Sequence, residues 1–168
     1  MLSPDTLERA ERLVELCRKE GRTVATVESC TGGLLSAALT SMAGSSDVFD
    51  RGYVTYSNEA KSSAVAVRAE QIAFSGAVSE EVAWAMADGA LRKSGVDIAV
   101  SITGVAGPGG GTEAKPVGLV HFACARWDGK ILVHHEVFPG DRTAIREAAV
   151  RQAMKMIEEA LFSAPGYP

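Results

Sequence analysis

No apolar run in this chain reaches the roughly 18 residues that a membrane-crossing helix needs, so its sequence predicts no such span. The N-terminus, Met-Leu-Ser-Pro-Asp-Thr-Leu-Glu-Arg, has neither a basic region nor an apolar core, and predicts no secretory leader. Cysteine is scarce. Cys17, Cys30 and Cys124 are the only three, with no Cys-x-x-Cys spacing. Three cannot all pair within one chain, so the expectation is a cytoplasmic protein without structural disulfides. Positive charge is also sparse, with 17 Lys and Arg against 21 Asp and Glu, a net charge of -4. No basic stripe exists, which argues against a nucleic-acid binder held by phosphate contacts. Histidine offers no metal site by pattern. His134 and His135 are neighbours in a predicted strand and point to opposite faces, and His121 has no partner at ligand spacing. The glycine-rich stretch from 104 to 112 matches neither Gly-x-Gly-x-x-Gly nor the phosphate-loop pattern.

What remains is an ordinary globular composition, 46% hydrophobic and 23% charged. A chain of 168 residues reads as one domain over 1–168, long enough to bury a core. Ser3-Pro4-Asp5 opens a helix by N-cap, proline and first-turn acid, and Gly21 stops it. Short β-branched or apolar stretches predict strands over 23–27, 53–56, 97–103, 117–127 and 131–138. Helices are predicted over 34–42, from a Ser57 or Asn58 cap through Lys61, from Ser79 to Gly95, and after an Asp141 cap. Asp128-Gly129 is a two-residue hairpin signal, so the last two strands run antiparallel. Alternating strands and helices predict an α/β layer fold. The strand over 117–127 should lie inside the sheet, the one after it in a less covered place. The tail over 163–168 reads as frayed.

Three segments leave the C-terminal ends of strands, where open α/β sheets place their chemistry. The first is Glu28-Ser29-Cys30-Thr31-Gly32-Gly33. Amides of Thr31, Gly32 and Gly33 at a helix N-terminus suit an anion or an oxyanion, and Ser29 is either a nucleophile or a helix cap. Cys30 is a rival nucleophile or a small buried residue. The second is Tyr56-Ser57-Asn58-Glu59-Ala60-Lys61. A lysine in a first helical turn is disfavoured as a cation, and a neutral lysine can take a proton from a serine; otherwise Lys61 is a solvated surface residue. Tyr56 either positions the lysine or fills the core. The third is the glycine loop, suited to an anion or a ribose. Arg142, at the start of the last helix, hints at a bound anion. From residue chemistry alone the reading is an α/β enzyme-like domain with an anion site and an unproved Ser-Lys pair.

These segments, with Gly76-Ala77-Val78-Ser79, Ser101-Ile102-Thr103-Gly104-Val105-Ala106-Gly107-Pro108 and Lys115-Pro116-Val117-Gly118, closely resemble the C-terminal domain family of the competence/damage-inducible protein CinA. The resemblance spans about 7–161 and agrees in order and spacing. It implies a three-layer α/β/α sandwich with a mixed, mainly parallel sheet. Stand-alone members are nicotinamide-nucleotide amidohydrolases, which implies hydrolysis of nicotinamide mononucleotide to nicotinate mononucleotide and ammonia without metal or organic cofactor. It implies Ser29 and Lys61 as the catalytic pair with Tyr56 supporting the lysine. Thr31, Gly32, Gly33, Asn58, Thr103, Gly104 and Arg142 are the expected substrate-binding positions. A homodimer is the expectation for a small enzyme. A non-catalytic nucleotide-binding module and a Cys30-dependent amidase stand as the rival readings.

Overall fold

A computed structural model describes residues 2–163. Helix α1 (Pro4–Lys19) leads into strand β1 (Val24–Glu28), helix α2 (Leu34–Leu39), a 3-10 turn (Ser45–Asp47) and strand β2 (Phe49–Val54). Helices α3 (Asn58–Val65), α4 (Ala69–Ser75) and α5 (Glu80–Ser94) follow. Strands β3 (Ile98–Gly104), β4 (Leu119–Arg126) and β5 (Ile131–Val137) then lead to helix α6 (Arg142–Phe162). The five strands form one sheet in the order β2-β1-β3-β4-β5. β1 runs parallel to β2 and β3, while β3–β4 and β4–β5 are antiparallel, as the Asp128-Gly129 hairpin requires.

The sheet is covered on both faces, giving three layers. On one face Leu13 and Val14 of α1, Leu35 of α2, and Ile145, Met156 and Ile157 of α6 pack on Ile98, Val100, Ile102 and Phe122. On the other, Val82, Met86 and Ala90 of α5 pack on Ala25, Val27 and Ala99. Such burial is worth roughly 1.5–3 kcal/mol per large aliphatic side chain. Helix α3 lies closely against α5 because residue 89 is glycine. A Cβ there would stand 1.8 Å from the Val65 carbonyl oxygen.

The caps fall where the sequence predicts. Ser3, Ser57, Ser79 and Asp141 each accept a backbone N–H at the start of α1, α3, α5 and α6. β4 lies inside the sheet between β3 and β5 and is almost wholly buried, and β5 is a largely exposed edge strand. Several readings differ; α3, expected to run through Lys61, continues to Val65. The strand expected over 53–56 begins at Phe49 and ends at Val54. Its first half is a solvated edge of mixed polarity, so it carries no apolar signature. α2 stops at Leu39 because the Thr40 and Ser41 hydroxyls turn back onto the Ser36 and Ala38 carbonyls, each at 2.8 Å. α4 goes unmarked in the sequence because Ile72 is its one buried residue, too little for an apolar stripe. The frayed-tail expectation falls, beyond Ser163, outside the described residues.

Candidate active site

Successive residues of a strand face opposite sides of the sheet, and the end of β1 exploits this. Glu28 faces α2, while Ser29, one residue on, faces α3 with the parity of Ala25 and Val27. The Ser29 amide extends the ladder to Ile102 O at 2.9 Å. The chain then turns, with Gly32 N donating to Ser29 O at 3.0 Å, and enters α2 through Gly33 at φ +95°.

Lys61 arrives from α3. Ser57 caps that helix by accepting from Ala60 N at 3.0 Å, which sets Lys61 in its first turn. The side chain is only 1% exposed. Its Nζ stands 3.1 Å from Ser29 Oγ and donates to Thr55 O at 2.8 Å. Burial pushes its pKa below the usual lysine value, with only a weaker opposing pull from Cys30. The geometry is that of a nucleophile beside a base.

A cavity of about 310 Å³ opens onto this pair. Ser29, Cys30 and Lys61 line it together with Tyr56, Asn58, Ala77, Val78, Arg142 and the glycine loop from Thr103 to Gly107 with Gly109 and Gly110. Among the described residues its basic lining side chains are Lys61 and Arg142, and no carboxylate lines it. Thr103 Oγ1 donates to Ala77 O at 2.8 Å and so holds these two lining residues together. Arg142 donates to Gly107 O at 2.7 Å and to the Tyr56 hydroxyl at 3.0 Å, bracing the glycine loop. The Tyr56 hydroxyl is thus bonded to Arg142, and the second partner of Lys61 is the Thr55 carbonyl. The amides of Ala106, Gly107, Gly109 and Gly110 have no backbone acceptor among the described residues.

Seven of the ten expected site residues meet here: Ser29, Lys61, Tyr56, Asn58, Thr103, Gly104 and Arg142. Thr31, Gly32 and Gly33 are not among the lining residues. Two of these amides are already taken, Gly32 N by Ser29 O and Gly33 N by Glu28, a residue that sequence pattern does not single out. Its fully buried carboxylate accepts from Gly33 N (3.0 Å), Leu35 N (3.1 Å), Ser36 N (2.8 Å) and Ser36 Oγ (2.7 Å). The N-terminus of α2 therefore already holds an anion from the chain itself. Arg146 is a second unmarked residue. Its Nε donates to Cys30 O at 3.1 Å and its Nη2 to Thr31 O at 2.9 Å. The usable signal is its place four residues after Arg142, on the same helix face.

Cys30 has its thiol in the apolar core, where burial pushes its pKa up to about 11. Such a thiol stays protonated near neutrality and is a poor nucleophile. His121 does have a neighbour, contrary to its spacing in sequence. Strand register sets it opposite His135, ring centroids 5.3 Å apart. Among the described residues no three His, Cys, Asp or Glu side chains gather as metal ligands. A groove of about 550 Å³ between α1, α6 and β5 is lined by charges of both signs and lies away from Ser29.

The family model described as CinA C-terminal domain matches residues 6–161. The chain belongs to the CinA C-terminal domain family. A CinA-like protein of Mycolicibacterium gilvum is 55% identical over 84% of the chain, and the chain spans a third of the length of that relative. The nicotinamide-nucleotide amidohydrolase PncC of Escherichia coli K12 is 46% identical over 94% of this CinA-family chain and 95% of its own. The crystal structure of the competence/damage-inducible protein CihA from Agrobacterium tumefaciens superposes with a TM-score of 0.92 at 46% identity, covering 95% of this chain and 98% of that one. No described helix is long and apolar enough to cross a membrane.

Proposed function

We propose that this chain is a nicotinamide-nucleotide amidohydrolase that converts nicotinamide mononucleotide to nicotinate mononucleotide and ammonia by a serine/lysine mechanism. The observation that carries this reading is the 3.1 Å approach of a buried lysine Nζ to Ser29 Oγ in the lining of the cavity. The near-full-length similarity to PncC supports the substrate class.

Lys61, neutral at the start, takes the Ser29 hydroxyl proton as Oγ attacks the carboxamide carbon. A backbone amide of the turn receives the developing oxyanion. The C–N bond breaks as Lys61 returns the proton to the departing nitrogen, releasing ammonia and leaving an acyl-enzyme. Water then enters, gives a proton to Lys61 and attacks the acyl carbon. Lys61 returns that proton to Ser29 Oγ, and the carboxylic acid product leaves, giving its own proton to solvent. No step calls for a metal or organic cofactor.

The cavity's charge suits this ligand. The substrate carries an anionic phosphate and a cationic pyridinium. Arg142 and the free amides of the glycine loop provide for the phosphate. A neutral Lys61 tolerates the nearby pyridinium, which itself makes the carboxamide carbon more electrophilic. Tyr56, 60% exposed and among the lining residues, supplies an aromatic ring that such a cation can stack on. The setting is recycling of pyridine nucleotides in the cytoplasm.

The test is ammonia release from nicotinamide mononucleotide by purified protein, with Ser29→Ala as control. Release that disappears in Ser29→Ala supports the reading. Nucleotide binding with no release by wild type supports the non-catalytic module instead.

A further inference from the structure

Resting on the reading of Ser29 as nucleophile, we infer that the Cys30 amide is the oxyanion donor and that Arg146 is a positioning residue acting on it. The amides of the turn can be accounted for one by one. Ser29 N donates to Ile102 O, Gly32 N to Ser29 O, and Leu34 N to Thr31 O. Gly33 N donates to the Glu28 carboxylate. Among the described residues, the amides of Cys30 and Thr31 are left without a backbone acceptor. Of these two residues only Cys30 lines the cavity. It is also the residue after the nucleophile, a place from which a backbone N–H reaches the oxygen of a tetrahedral intermediate.

Arg146 acts on this amide through a relay of peptide groups. Its guanidinium grips two successive carbonyls, Cys30 O and Thr31 O. In a trans peptide the C=O and the following N–H point in opposite directions. The Thr31 carbonyl, held at 2.9 Å, thus shares its plane with Gly32 N–H, which donates to Ser29 O at 3.0 Å. The Ser29 carbonyl in turn shares its plane with Cys30 N–H. A fixed positive charge stands at one end of this two-peptide chain, and at the other the Cys30 N–H, which meets its own thiol but no backbone acceptor. Hydrogen bonds linked in series polarise one another in the same sense. Arg146 therefore both locks the planes and strengthens the terminal donor. The guanidinium lies against Gly32, where an added Cβ would sit 3.4 Å from Nη2.

Two experiments test this. In the first, kcat and KM for nicotinamide mononucleotide are measured for Arg146→Met and Arg146→Lys. Arg146→Met lowers kcat roughly 10–100-fold, below the loss from removing an oxyanion donor outright, while KM stays within about threefold. Arg146→Lys, which keeps the charge, recovers part of kcat. A raised KM with unchanged kcat makes Arg146 a substrate-phosphate ligand and overturns the inference, as does a pair of variants with wild-type kinetics. The second experiment needs neither a variant nor amide turnover. A pyridine boronic acid, which forms a tetrahedral adduct on a nucleophilic serine, is added to 15N-labelled wild type. The Cys30 amide proton shifts downfield more than any other in the turn. A larger shift at Gly32, Gly33 or the glycine loop overturns the assignment, even should the Arg146 variants fold poorly. Wild type that binds the boronate but releases no ammonia from the nucleotide contradicts the proposed substrate and leaves this arm intact.

Discussion

The two sides of the Ser29 turn each bury a group that is charged in water, and they treat it in opposite ways. On the α2 side Glu28 is wholly enclosed and receives four hydrogen bonds, three of them from backbone amides at a helix N-terminus. On the α3 side Lys61 is as deeply enclosed but meets only a neutral carbonyl and the serine hydroxyl. It also sits near the wrong end of a helix for a cation. Burial alone disfavours both charges. Partners make the difference. The carboxylate is a fixed strut that holds the turn after β1 to α2, and in the proposed mechanism the amine serves as proton acceptor. A single step along β1 separates this strut from Ser29, the proposed nucleophile, so the alternation of a strand keeps the two on different faces.

The largest break in this contrast is Lys61→Met. Turnover of nicotinamide mononucleotide falls by about four orders of magnitude or more, as for other dyad and triad losses, while the fold gains on the order of 1 kcal/mol because the buried amine is gone. Steady-state assays and thermal denaturation check both halves; a variant with normal turnover removes the lysine from the mechanism. Glu28→Gln breaks the other side. Replacing one acceptor oxygen by an NH2 group sets donor against donor at α2 and destabilises the protein by about 2–4 kcal/mol, read by urea denaturation. A variant as stable as wild type shows that the strut is dispensable.

The two sides were not equally legible from sequence. The serine caps, the Gly95 stop and the Asp128-Gly129 hairpin are local signals, and the structure matches them. The first-turn position of Lys61 is legible because Ser57 and Asn58 announce a helix start just before it, whereas its choice over a surface lysine rests on the family resemblance. Glu28 is not, because a carboxylate at a strand end says nothing of which amides fold back to meet it. The amides of Gly32 and Gly33 therefore look free in sequence and are occupied in space. The pairing of His121 with His135 was hidden for the same reason, since register between strands has no fixed spacing.

Smaller effects sharpen the contrast. Arg142→Ala raises KM for nicotinamide mononucleotide, with a loss of about 1.5–3 kcal/mol for a charged hydrogen bond to phosphate, and changes kcat little. The effect shrinks with nicotinamide riboside, which lacks the phosphate. Equal damage with both substrates assigns the arginine to the fold of the glycine loop through Tyr56 and Gly107. Smallest is Cys30→Ala, which keeps the backbone amide and removes a thiol buried in the core. Activity stays within about threefold, a difference of under 1 kcal/mol; a loss as complete as in Ser29→Ala moves the chemistry to sulfur.

The central claim is that Lys61 is neutral when Ser29 attacks. Its lowered pKa has a definite sign for stability as well as for rate. Below the folded value the amine is protonated in both folded and unfolded chains, and the fold carries the full penalty of a buried cation. Between that value and the ordinary 10.5 the unfolded chain binds more protons, so stability rises with pH across this window. Activity rises as Lys61 loses its proton. The direct measurement is an NMR titration of the Lys61 side chain in the folded protein, set beside the pH profile of kcat/KM. The account predicts a midpoint below 10.5 that coincides with the rising limb of the rate. A lysine that titrates at or above its ordinary value, or a rate that rises with some other group, contradicts it.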